Sequence, residues 1–216
     1  MLQEGYGYGL PPLLIAGGLL GLWSRERSLF LLVCAILFLG LAVLILNFFR
    51  DPERLIPDQP DAIISPADGR IVQVVHESYE GRTVCRVSIF MSPLDVHVNR
   101  APIDGVIKEV SYRRGAYRVA MAEMASLENE QNVFTLEGKQ GRIVVKQIAG
   151  ILARRIVFWK RPGDFLARGE RVGLIKFGSR VDVLMEPDVA LTVKVGDRVR
   201  AGSSILGTSH FRSEIQ

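Results

Sequence analysis

Apolar and polar positions fall into two regimes along this chain. From Leu10 to Phe49 apolar residues run almost unbroken, interrupted only by the polar loop Ser24-Arg25-Glu26-Arg27-Ser28, whereas from Asp51 onward they come in short runs bounded by turn residues. The first regime divides into Leu10 to Trp23 and Leu29 to Phe49. The second segment is long enough for the roughly 20 residues that cross a bilayer core. The pattern predicts an α-helical membrane hairpin over residues 1–50. A cleaved signal peptide is the competing reading of the first segment, but Met1 to Gly9 holds no lysine or arginine and no small-residue cleavage site leads into a polar start. Arg25 and Arg27 precede the second segment while Arg50 and Arg54 follow it, so basic residues balance across it. A hairpin that returns the rest of the chain to the cytoplasmic side of the cell membrane is the expectation.

In the second regime β-branched runs recur at Arg70 to Val75, Thr83 to Phe90, Gly105 to Val110, Asn132 to Leu136, Arg142 to Ala149, Arg171 to Ile175, Val181 to Leu184 and Leu191 to Val195. They predict a mainly β domain over residues 51–216. Arg118 to Glu130, rich in Ala, Met, Leu and Glu, reads as a short helix or a polar loop with helical pieces. A weak repeat is also present. Ser65-Pro66-Ala67-Asp68-Gly69-Arg70-Ile71 resembles Ala101-Pro102-Ile103-Asp104-Gly105-Val106-Ile107, and Gly163-Asp164-x-Leu166-x-x-Gly169 resembles Gly196-Asp197-x-Val199-x-x-Gly202. Such turn–strand units occur in the hammerhead-like sandwiches of biotinyl and lipoyl domains, which predicts a compact β-sandwich or barrel. Capping of its own turn is the plain alternative for each of Asp68 and Asp104, and for Asp104 it is the preferred reading.

Composition then narrows the chemistry. The formal charge is +4, with no basic tail and no interleaving of aromatic and basic residues, so nucleic acid is not expected as a partner. Cys34 and Cys85 have no metal-ligand spacing around them, neither H-E-x-x-H nor CxxC occurs, and no metal is expected. Of the three histidines, His76 lies at a strand end and His210 in the polar tail, while His97 sits among other reactive groups in Ser92-Pro93-Leu94-Asp95-Val96-His97-Val98-Asn99-Arg100. A Ser/His/Asp hydrolase stays open on residue types, although Gly-x-Ser-x-Gly is absent. Gly178-Ser179 is instead a bare pair between two β-like runs.

Five segments in order carry a family signal: Phe48-Phe49-Arg50-Asp51-Pro52, Ser65-Pro66-Ala67-Asp68-Gly69, Ser92 to Pro102, Ala153-Arg154-Arg155-Ile156-Val157, and Gly169 to Asp182 with its Phe177-Gly178-Ser179-Arg180 core. Together they resemble the short, membrane-attached form of phosphatidylserine decarboxylase proenzyme, over nearly the whole chain. The resemblance implies a carboxy-lyase that converts phosphatidylserine in a membrane to phosphatidylethanolamine. Loss of carbon dioxide from a serine head group leaves a carbanion, and the implied electron sink is a covalent pyruvoyl group that binds the amine as a Schiff base. The resemblance derives that group from Ser179, whose hydroxyl attacks the Gly178 carbonyl, so that the precursor splits into a β chain 1–178 and an α chain 179–216 that remain partners.

By the same resemblance His97 is the base and acid for Ser179, and Asp68 orients it. Longer bacterial members have a second histidine three positions after the first, where this chain has Arg100, and Asn129-Glu130-Gln131 replaces the usual Asn-Glu-Arg. Arg154, Arg155 and Arg100 are the candidates for binding lipid phosphate or carboxylate, with the Arg154-Arg155 pair first. Homo-oligomerisation is left open. The alternative function is a membrane-tethered lipoyl- or biotinyl-like carrier or adaptor without catalysis. It would need a lysine presented on a tight hairpin, and none is evident.

Overall fold

A computed structural model describes residues 3–115, 129–150, 155–176 and 179–209, in two compact units, Met1–Glu53 and Arg54–Gln216. The first is a helical pair, α1 (Gln3–Glu26) and α2 (Leu29–Phe48). The helices are antiparallel. Tyr8 stacks on Phe49 with ring centroids 5.7 Å apart, and a Cβ added to Gly9 would meet Leu46 Cδ2 at 2.5 Å. Small buried residues, Ala16, Ala35 and Ala42, let the helices approach closely. Their outer faces stay apolar, with Leu14, Leu29 and Phe30 each 73% exposed. Helix α1 starts earlier than the apolar run suggests and continues through Pro11 and Pro12, which lack backbone N–H donors.

The second unit is mainly β. Its described strands are β1 (Ala62–Ile64), β2 (Gly69–Tyr79), β3 (Arg82–Met91), β4 (Val98–Arg100), β5 (Gly105–Arg113), β6 (Gln131–Gly138), β7 (Gly141–Ala149), β8 (Arg155–Phe158), β9 (Phe165–Leu166), β10 (Arg171–Lys176), β11 (Ser179–Met185), β12 (Ala190–Leu191), β13 (Arg198–Val199) and β14 (Ile205–Thr208). An eight-stranded antiparallel sheet has the order β13-β2-β3-β11-β7-β6-β5-β9, and the small sheets β4-β10-β8 and β1-β14-β12 accompany it. One core, with Ile71, Ile89, Ile103, Ile107, Phe134 and Leu136 fully buried, joins residues from all three sheets. The expected strand Leu191 to Val195 shrinks to β12. Thr192 N–H goes to the Leu206 carbonyl and Lys194 N–H to the Asp197 carboxylate, which opens a turn. Most of the expected helix or loop Arg118 to Glu130 lies outside the described residues.

The sequence repeat is a structural repeat. Gly69 and Arg70 pair with Val199 and Arg198, and Gly105 and Val106 pair with Leu166 and Phe165. The backbone bonds repeat as well: Ile71 N–H to Asp197 O and Ile107 N–H to Asp164 O, both 2.9 Å, and Gly202 N–H to Ser65 O and Gly169 N–H to Ala101 O, at 2.9 and 2.8 Å. Gly169 and Gly202 sit at φ 81° and 79°, a left-handed conformation that selects glycine at both places. Each aspartate caps the turn of its partner segment rather than its own. Asp68 accepts from Ala201 N–H and Asp104 from Arg168 N–H, each at 2.8 Å.

Candidate active site

Strands β10 and β11 belong to different sheets. Ser179 opens β11 as a fully buried residue opposite Met91 of β3 and Ala149 of β7. Its hydroxyl donates to Met91 Sδ at 3.3 Å. Alternation along β11 sends Ser179, Val181 and Val183 to the core face and Arg180 and Asp182 to the other. There Arg180 Nε lies 2.8 Å from Asp182 Oδ1, and Arg86 approaches the same carboxylate at 3.9 Å. Burial holds the nearby Lys146 ammonium below the usual lysine range, against the opposing pull of Asp182. That charged cluster is thus on the face away from Ser179.

His97 is 1% exposed and lies immediately before β4. Its Nδ1 is 2.9 Å from the Asp95 carbonyl oxygen. A carbonyl only accepts, so Nδ1 carries the proton and Nε2 is the basic nitrogen of the neutral ring. The His97 carbonyl in turn accepts from Ile175 N–H on β10, the strand that leads to Ser179. Asp68 is buried but turned elsewhere. Arg54 Nη2 donates to both of its oxygens, at 2.9 and 2.8 Å, and Ala201 N–H supplies a third bond. No hydrogen bond joins Asp68 to His97 or His97 to Ser179 among the described residues. The Asp95 backbone helps to orient the imidazole.

Arg100 is buried and gives Nη1 to the Gly169 carbonyl at 2.9 Å, while Arg155 is exposed on β8 beside Lys176 of β10. Gly178 and Arg154 lie outside the described residues. Sequence reasoning gave no role to several buried polar groups around Ser179. Asn129 Nδ2 donates at 2.7 Å to the carbonyl of Ala149, the residue opposite Ser179. Asn99, Gln147 and Asn132 form a bonded series on the core face. One signal was available: Gln147 occupies an inward position in the alternation Ile143, Val145, Gln147, Ala149, where a polar residue needs a reason.

Comparison with known proteins matches most of the chain to one family. The family model described as phosphatidylserine decarboxylase matches residues 41–207. A phosphatidylserine decarboxylase proenzyme of Solibacter usitatus is 53% identical over 172 residues, covering 80% of this chain and 82% of that protein. Proenzymes of the same description from Syntrophotalea carbinolica and Nitrosomonas eutropha are 47% and 46% identical, over 81% and 76% of this chain and 84% and 78% of their own lengths.

Proposed function

This chain belongs to the phosphatidylserine decarboxylase family, and we propose that it converts phosphatidylserine to phosphatidylethanolamine on a pyruvoyl group made from its own Ser179. The observation that carries the Ser179 assignment is its position. It is a fully buried serine, first in a core strand of a different sheet from β10, with its hydroxyl on the Met91 thioether. Met91 and Ala149 flank it on the neighbouring strands.

In the proposed maturation His97 Nε2 takes the Ser179 hydroxyl proton while Oγ bonds to the Gly178 carbonyl carbon. The Gly178–Ser179 C–N bond breaks, the proton passes to the freed amine, and an ester remains. Loss of the Ser179 α-proton then breaks the Cβ–Oγ bond and releases residues 1–178 as a carboxylate. Water hydrolyses the resulting imine, and ammonia leaves. When present, the pyruvoyl group supplies a ketone that takes up the electron pair left as carbon dioxide departs. Hydrogen bonds of a reacting base are often long or unmade before the reacting complex forms, so the Asp95-held imidazole is compatible with this role.

Asp68 is assigned to support His97, through its charge or after release from Arg54. Of the candidates Arg154, Arg155 and Arg100, Arg155 is described and exposed, which suits a lipid phosphate, with Arg154 beside it in sequence. The apolar outer faces of α1 and α2 favour residence in a membrane, where the substrate lies. Intact mass of the purified protein tests the proposal. The expected result is two associated fragments, 1–178 and 179–216, the smaller with a keto N-terminus, and none from Ser179→Ala. An active preparation containing only uncut chain would sink the reading.

A further inference from the structure

Three amide side chains cross the interior in a single hydrogen-bonded series. Asn132 Nδ2 on β6 donates to Gln147 Oε1 on β7 at 2.9 Å, and Gln147 Nε2 donates to Asn99 Oδ1 on β4 at 2.8 Å. They are 2%, 0% and 0% exposed. The series thereby ties the eight-stranded sheet to the small sheet that holds β10. Its polarity is fixed at the Asn99 end. The Asn99 side-chain nitrogen faces the Pro66 carbonyl oxygen at 3.5 Å and Met91 Sδ at 3.8 Å, both acceptors, so an oxygen cannot stand there. These contacts are long for hydrogen bonds. Met91 Sδ is also the atom that accepts the Ser179 hydroxyl.

Aliphatic residues at these three places would fill an apolar core without the cost of desolvating amides. The amide series therefore calls for an explanation other than packing. We propose that Asn99 is a positioning residue for Ser179: the amide series holds the Asn99 donor against Met91, and the thioether so held keeps the Ser179 hydroxyl in the rotamer from which it attacks. This rests on Ser179 being the maturation nucleophile. Sulfur suits the task because it is a weak acceptor. It orders the hydroxyl yet releases its proton readily to His97.

The test follows conversion of the full chain to its two fragments in membranes over time, from about pH 5 to 8, as a ratio to wild type at each pH. Asn99→Asp keeps the shape but, ionised, donates nothing, so processing at the upper end should slow about tenfold or more. Burial raises a carboxyl pKa, and the protonated acid both accepts from Gln147 and donates onward, so the ratio should recover as pH falls. Asn99→Leu should be slow at every pH. Met91→Leu nearly conserves volume and should process slowly with an unchanged melting temperature, which keeps the test valid if either Asn99 variant misfolds. Wild-type rates in Met91→Leu or Asn99→Leu would overturn the inference, as would an Asn99→Asp defect that does not relax with acid. A wild type that never splits would overturn its premise as well, whereas a splitting wild type beside equally fast variants overturns the inference alone.

Discussion

Asp68 and Asp104 occupy matching places in the repeated turn and accept the same kind of backbone bond, from Ala201 and Arg168 N–H at 2.8 Å each. The difference between them lies in surroundings. Asp104 is exposed, while Asp68 is buried and held by Arg54. Asp104 is therefore an internal control for Asp68. Asp104→Ala should lose about 0.5–1.5 kcal/mol, the net worth of one hydrogen bond, with processing intact. Asp68→Asn keeps an acceptor for Ala201 and loses the ion pair with Arg54, so stability should fall modestly while conversion to fragments nearly stops. Thermal melting and a processing time course on the two variants check both statements. Equal processing would assign Asp68 to the turn alone.

At the level of elements, the loop that feeds β10 is built around Glu170, which accepts from Ala167 N–H and from the Lys160 ammonium. Burial alone would raise the Glu170 carboxyl, but the bonds from Lys160 and Ala167 outweigh it and leave its pKa below the ordinary 4.5. A carboxyl depressed by folding adds stability above its unfolded pKa and loses it as pH falls through the folded value. The melting temperature should thus drop on acidification below about pH 4.5, and Glu170→Gln should flatten part of that slope while lowering melting at pH 7. A melting series from pH 3 to 7 on both proteins measures this. Elements of this kind were unevenly legible in the sequence. Strands β2, β3, β5, β6 and β7 span eight or more residues, and each contains one of the β-branched runs. Strands β1, β4, β8, β9, β13 and β14 span two to four, too few for a period, and are held by partners far along the chain, as Ala62 is by Thr208. The site divides similarly. His97 and Ser179 stand out by type and context, but Asn99 bonds to Gln147 48 positions away. Asp68 was legible as an acid in a turn, and its Arg54 clamp was not, since nothing local pairs residues 54 and 68.

For the whole molecule, the boundary between units falls between Glu53 and Arg54. Arg54 therefore belongs with the β unit through its bond to Asp68. Removing residues 1–49 deletes the helical pair and spares that arginine, so processing should continue while turnover of vesicle lipid falls severalfold or more. Full activity of the truncated protein on vesicles would reduce the helices to an accessory. The position of β11, paired with β3 on one side and β7 on the other, sets a further condition on the cut protein proposed above. Once the backbone is severed before Ser179, the central strand of the large sheet is a separate molecule, held by strand pairing and by the repeated turn of residues 196–202. Unfolding then releases two species, and regaining the native form becomes a second-order event. The mature enzyme should melt at a temperature that depends on the heating rate and fail to refold after dilution from denaturant, while uncut Ser179→Ala refolds. Maturation would make the protein metastable, its lifetime governed by how slowly the strand escapes rather than by an equilibrium.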